Sequence, residues 1–302
     1  MVRPPTAQSL VSRFCSNPTT PSIPNTKKSF FQAPTPPSSA YFSQSRKWVS
    51  FKIQHSAPQR VWYNKQNGVE EVKDGTSHGN DLENGVRRKK LAVFVSGGGS
   101  NFKSIHEASL GGSVHGDIVV LVTNKRGCGG SVYARDNGIP VVLFPKTKDK
   151  PDGLAPNDLV AELRKFEVDF VLLAGYLKLI PVELIRAYPR SILNIHPSLL
   201  PAFGGKGYYG MKVHKAVIAS GARFSGPTIH FVDEHYDTGR ILAQSVVPVL
   251  AKDTAEELAA RVLQEEHRLY VEVTTALCEE RIIWREDGVP LIQSKENPSE
   301  YR

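Results

Sequence analysis

Five short apolar runs recur along the chain, Leu91 to Val95, Asp117 to Thr123, Val141 to Phe144, Asp169 to Ala174 and Ile192 to Ile195, each separated from the next by a stretch of helical character. That alternation constrains the fold more than any other feature. Continuous apolar runs of this length suit strands buried on both faces, and the intervening helices supply the cover, so the prediction is an α/β fold with an open, mostly parallel sheet. Punctuation agrees: Gly138 and Gly221 stand where helices should end, and Pro181 suits a first helical turn. Further on the pattern changes. Thr228 to Val232 and Ile241 to Val249 flank the turn-like Asp237-Thr238-Gly239 and are expected to pair as an antiparallel hairpin. A long helix is then predicted, opened by a capping box at Thr254 and Glu257 and carried by Leu258, Val262, Leu269 and Val273 to about Cys278.

The charge of the chain, formally +8, invites a nucleic-acid reading, but its distribution removes it. Residues 1–69 contain no Asp or Glu and hold nine of the 38 basic residues, so the remainder carries 29 basic against 30 acidic residues. The body has no basic excess to offer a polyanion. The acid-free segment is rich in Ser, Thr and Pro and has no continuous apolar core, which is the composition of an organelle transit peptide. Ser, Thr and Pro outnumber Arg, pointing to the chloroplast stroma ahead of the mitochondrion. Residues 70–88 read as a polar linker, and the folded domain is expected over 89–302. There is no run of 18 apolar residues, so no membrane-spanning segment is expected. Cys15, Cys128 and Cys278 show neither metal-ligand nor redox spacing.

Three places carry chemistry. Ser96-Gly97-Gly98-Gly99-Ser100-Asn101 lies between the first predicted strand and helix, where close-approaching glycine backbone and free helical N–H groups can cradle a phosphate. A dinucleotide site is excluded, since the third glycine of G-x-G-x-x-G would fall on Phe102 and the second strand ends in Thr123-Asn124, without the ribose-binding acid. Asn194-Ile195-His196-Pro197-Ser198-Leu199-Leu200-Pro201 follows a strand, where open α/β sheets bind ligands, and alternation puts Asn194 and His196 on one face. Asp237 precedes Gly239 in the expected turn, where an Asp is also ordinary turn chemistry.

Together these motifs, in this order from about Leu91 to Trp284, resemble the glycinamide ribonucleotide formyltransferase family. Its pattern is Asn-x-His-Pro-Ser-Leu-Leu-Pro, then some forty residues later His-Phe-Val and Asp-x-Gly. The resemblance implies transfer of a formyl group from 10-formyltetrahydrofolate, as co-substrate, to the amine of a glycinamide nucleotide in purine synthesis, without a metal. It makes Asn194, His196 and Asp237 the catalytic trio, with Asp237 raising the pKa of His196. It assigns Gly99, Ser100 and Asn101 to the substrate phosphate and Glu266 to the nucleotide. Leu177, Lys178, Leu179, Ile180, Asn194 and Asp233 would line the folate pocket. The family's usual folate-contacting Arg aligns near Asp152, leaving Lys148 and Lys150 as nearby cations, with Lys150 taken as the contact. The loop Ala202 to Gly210 is longer and richer in Tyr and Gly than in the family's shorter members. Formyltetrahydrofolate hydrolase and methionyl-tRNA formyltransferase share the Asn-x-His and Asp-x-Gly elements. The hydrolase typically has a His at Pro197 and an extra domain before the sheet, and the tRNA enzyme needs a C-terminal domain for which about twenty residues leave no room. A non-catalytic folate- or nucleotide-binding module is the reading from a different class.

Overall fold

Among the residues that the computed structural model describes, 82–83 and 86–301, seven strands form one sheet: β1 Lys89–Val95, β2 Gly116–Thr123, β3 Val141–Leu143, β4 Phe170–Leu173, β5 Ile192–His196, β6 Thr228–Phe231 and β7 Ile241–Gln244. The predicted transit segment, and all of the predicted linker but residues 82–83 and 86–88, lie outside the described residues. The order across the sheet is β7-β6-β5-β4-β1-β2-β3. Pairs from β5 through β3 are parallel, whereas β6 runs antiparallel to both its neighbours, β5 and β7. The fold is thus the mostly parallel α/β sheet expected from the apolar runs.

Why β1 reads as an unbroken apolar run follows from its place. It is central, with no exposure from Leu91 to Val95. Leu91, Val93 and Val95 enter a core shared with helices α1 Ser100–Leu110 and α6 Ala255–Cys278, while Ala92 and Phe94 enter a second core with α3 Pro156–Lys165 and α4 Val182–Ala187. Truncating a buried side chain such as Phe94 to Ala would cost about 3–5 kcal/mol. Helix α6 forms as predicted: the Thr254 side chain accepts from the Glu257 amide, the Glu257 carboxylate accepts in return, and Leu258, Val262, Leu269 and Val273 are buried along one stripe. The wholly buried Tyr270 on that stripe points its hydroxyl at the carbonyls of Leu173 and Leu193, both 3.3 Å away, and so fastens α6 beneath β4 and β5.

Two expectations need correction. The run Ile241 to Val249 is not one strand: only Ile241–Gln244 pairs with β6, and Val247–Pro248 pairs with Phe224–Ser225 in a separate two-stranded ribbon. The chain breaks there because Gly226 crosses Ser245 so closely that a Cβ on it would lie 1.8 Å from the Ser245 carbonyl oxygen, and Pro248 brings no N–H to a ladder. Pro181 is the N-cap of α4 and lies just outside its first turn, with its carbonyl accepting from Leu184 and Ile185.

From β1 the chain winds outward through α1, β2, α2 Gly129–Asp136 and β3, then returns to β4 on the other side of β1. The strand order therefore reverses between β1 and β4, and a crevice opens there at the carboxyl ends of the strands. The loops leaving these two strands are tied together, Ser96 N donating to the Gly175 carbonyl at 3.1 Å and Leu177 N to Ser96 Oγ at 2.9 Å.

Candidate active site

At that crevice lies a cavity of about 680 Å³, within the range of small-molecule sites. Helix α1, which follows the loop after β1, brings Asn101 to one wall. Gly99 caps α1 in the left-handed region (φ 73°) and presses on α2, since a Cβ there would lie 2.9 Å from the Gly130 Cα. No side chain caps α1, so its first-turn N–H groups remain available. The next residue but one, Asn101, is buried and donates through Nδ2 to Glu266 Oε2 at 2.7 Å, joining the first helix to the last. Its Oδ1 is buried without a partner. Burial raises the Glu266 carboxyl to about 6, against the lowering pull of the Asn101 amide. Asn101 and Glu266 line the cavity; Gly99 and Ser100 stand behind that lining.

Strand β5 supplies Asn194 and His196 on one face, as alternation predicts, and both line the cavity. The His196 ring is almost fully buried, with Nε2 2.9 Å from the Phe203 carbonyl oxygen and Nδ1 3.5 Å from Asp237 Oδ2. A carbonyl only accepts, so Nε2 carries a proton and the neutral ring has its lone pair on Nδ1. Burial lowers the His196 pKa more than Asp237 and the Phe203 carbonyl raise it. Asp237 thus pulls the pKa in the expected direction, favouring the imidazolium, but desolvation of the ring outweighs it and sets the net shift.

Asp237 itself adopts φ 58°, and its Oδ2 accepts from the Gly205 amide at 2.8 Å. Burial pushes its carboxyl up, but His230, His196 and that amide pull harder, and the net shift is downward. The glycine two residues on is sterically required, because a Cβ on Gly239 would meet the Phe231 carbonyl oxygen at 1.8 Å. Asp233 holds this loop, accepting from His235 N at 3.0 Å and from the Thr238 hydroxyl. The Ala202 to Gly210 loop wraps the same centre: a Cβ on Gly204 would lie 2.4 Å from Leu200 Cδ2 and 3.3 Å from Asp237 Cβ.

Leu177, Lys178, Leu179, Ile180 and Asp233 all line the cavity, the two leucines well exposed. The structure does not bring Lys150 to it. The ammonium of Lys150 is held by the Asn124 carbonyl, and Asp152 pairs with Arg126; the lysines that line the cavity are Lys178, Lys206 and Lys212. Two buried histidines of the lining had no role in the sequence reading. His230 lies directly across the strand pair from Asn194, and His214, on α5 Met211–Ser220, has its Nδ1 buried without a partner. For His230 the signal was present, since an antiparallel strand following the Asn-x-His strand must place some side chain opposite Asn194. For His214 there was none.

A family model described as Formyl transferase matches residues 89–274. The chain is 68% identical over 311 residues to a Vigna unguiculata protein named phosphoribosylglycinamide formyltransferase, chloroplastic, covering 98% of this chain and 99% of that one. An Arabidopsis thaliana protein of the same name is 72% identical over 229 residues, 76% of each chain. Among solved structures, glycinamide ribonucleotide transformylase 1 from Geobacillus kaustophilus superposes with a TM-score of 0.58 at 38% identity, covering 64% of this chain and 100% of that one.

Proposed function

The chain belongs to the formyl transferase family, and from that premise we propose that it transfers the formyl group of 10-formyltetrahydrofolate to the amine of 5-phosphoribosylglycinamide, a step of purine synthesis, in the chloroplast. The observation that carries this reading is the meeting of Asn194, His196 and Asp237 in one cavity that also receives Asn101 and Glu266. The acid-free residues 1–69 serve as the import sequence.

In the reaction the substrate amine attacks the formyl carbon, giving a tetrahedral centre with a negative oxygen. An N–H of the Asn194 amide stabilises that oxygen. His196 receives the amine proton on Nδ1, the nitrogen left free by the Phe203 contact, and a pKa lowered by burial suits the ring to act as a base near neutrality. Asp237, 3.5 Å away, holds the resulting imidazolium. The ring then protonates the folate nitrogen as its bond to the formyl carbon breaks, releasing formylated nucleotide and tetrahydrofolate with His196 neutral again. The α1 N-terminus with Gly99, Ser100 and Asn101 holds the nucleotide phosphate, Glu266 its glycinamide end, and Leu177 to Ile180 with Asp233 the folate. The Lys178 ammonium, in that wall, takes the charge role first given to Lys150.

The test is an assay of residues 70–302 with 10-formyltetrahydrofolate and either 5-phosphoribosylglycinamide or water as acceptor. Formylated nucleotide is expected, and tetrahydrofolate release that does not depend on the nucleotide would make the protein a hydrolase.

A further inference from the structure

The partner of Asn194 decides which way its amide points. His230 on β6 is directly opposite Asn194 on β5, so the two side chains leave the same face of the sheet, and His230 is 2% exposed. Its Nδ1 lies 2.9 Å from the Phe231 carbonyl oxygen, and its Nε2 lies 3.0 Å from Asn194 Nδ2. The carbonyl can only accept, so the proton of the neutral ring sits on Nδ1 and Nε2 presents a lone pair. A lone pair accepts an N–H and repels a carbonyl oxygen. The amide of Asn194 is thereby held with nitrogen toward His230, one N–H occupied there and the second left for the cavity.

Resting on the formyl-transfer reading above, we propose that His230 is a positioning residue that, as the Nδ1–H tautomer, sets the Asn194 amide so that its remaining N–H meets the developing formyl oxygen. With the amide reversed, an oxygen would face that negative charge and a donor would become a repulsion. Asp237 Oδ1 lies 3.7 Å from His230 Nε2, beyond hydrogen-bond distance, and the pull of His230 on the Asp237 carboxyl belongs to the competing arrangement, in which Nε2 carries the proton.

Kinetics of His230→Phe, His230→Gln, Asn194→Ala and the double variant His230→Phe/Asn194→Ala test this, together with long-range proton–nitrogen spectra of the parent. Loss of one oriented oxyanion donor is worth roughly a hundred- to thousandfold, so His230→Phe, which leaves the amide present but unguided, should lower kcat about ten- to a hundredfold. Both KM values should stay within about twofold, as neither ligand is held by His230. His230→Gln keeps an acceptor oxygen and should recover most of the rate. With Asn194 already Ala, removing His230 should cost less than about twofold more, because its effect runs through the missing amide. Multiplicative losses in the double variant, or stronger coupling of His230 to an Asp237→Asn change, would overturn the assignment. So would spectra showing the proton on Nε2, a result readable whatever the enzyme transfers. A parent enzyme that fails to formylate the amine would instead sink the functional reading, with the tautomer still deciding this one.

Discussion

Replacing Glu266 with Gln removes a charge while leaving its contact, because the Asn101 amide can donate to the new amide oxygen as it does to the carboxylate. Burial raises the Glu266 carboxyl from its ordinary 4.5 to about 6. For an acid raised on folding, the folded state binds the proton more tightly, so stability is fully present below the unfolded pKa and is lost as pH rises through the folded one. A shift of that size corresponds to about 2 kcal/mol. Glu266 lines an open cavity and keeps some contact with water. Roughly half, about 1 kcal/mol, is therefore the working figure. The ligand-free variant should match the parent near pH 4.5, gain stability through pH 6, and stay level above pH 7, about 2–4 °C higher in Tm for a domain of this size. Differential scanning fluorimetry of both proteins across that range reads this directly. A variant less stable than the parent at pH 8, or a difference that does not change with pH, would refute the reasoning. The same variant should show a raised KM for the nucleotide and an unchanged one for the folate.

Asp237→Asn should lower the His196 pKa further, since Asp237 is its largest upward influence, and should cut the rate by roughly a hundred- to ten-thousandfold; an unchanged titration in NMR spectra of the ring would return Asp237 to the role of a turn residue. Asn101→Ala should weaken the nucleotide by about tenfold, the worth of a charge-assisted hydrogen bond, and leave folate binding nearly intact; isothermal titration showing equal losses for both ligands would reassign the loop. Gly99→Val forces a side chain into positive φ and against Gly130, at roughly 1–3 kcal/mol of strain, and its effect on binding should again fall on the nucleotide alone. Removal of residues 1–69 should leave kcat unchanged and abolish uptake by isolated chloroplasts; a folded but inactive product would move the domain boundary.

The features legible in the sequence are those that depend on short-range pattern. Leu91 to Val95 announces a central strand because both its faces are buried, and Thr254 with Glu257 announces α6 because a capping box closes within four residues. Asn194 and His196 fall together because the strand period is two. What was not legible depends on what the fold brings from far away. The strand break after Gln244 is imposed by Gly226, and the downward shift of His196 by layers that cover it from outside its own strand. Lys150 carries the right charge at the right place in the chain, but a neighbouring carbonyl claims it, and nothing local says so. His230 was visible as a letter in a motif, yet its purpose depends on register, which only the pairing of β5 with β6 defines.

The contact between Asn101 and Glu266 spans 165 positions of sequence. A polypeptide delivered amino end first into an organelle, or emerging from a ribosome, exposes its first helix long before its last. The part of the cavity that this contact closes therefore cannot exist in any partly delivered chain, however well β1 to β5 have assembled. Such dependence on distant contacts makes folding slow relative to helical bundles. It also makes a ligand of the proposed nucleotide site a late reporter of completion: bridging α1 and α6, it would stabilise only the finished fold, by mass action, and no fragment ending before Glu266 could gain from it.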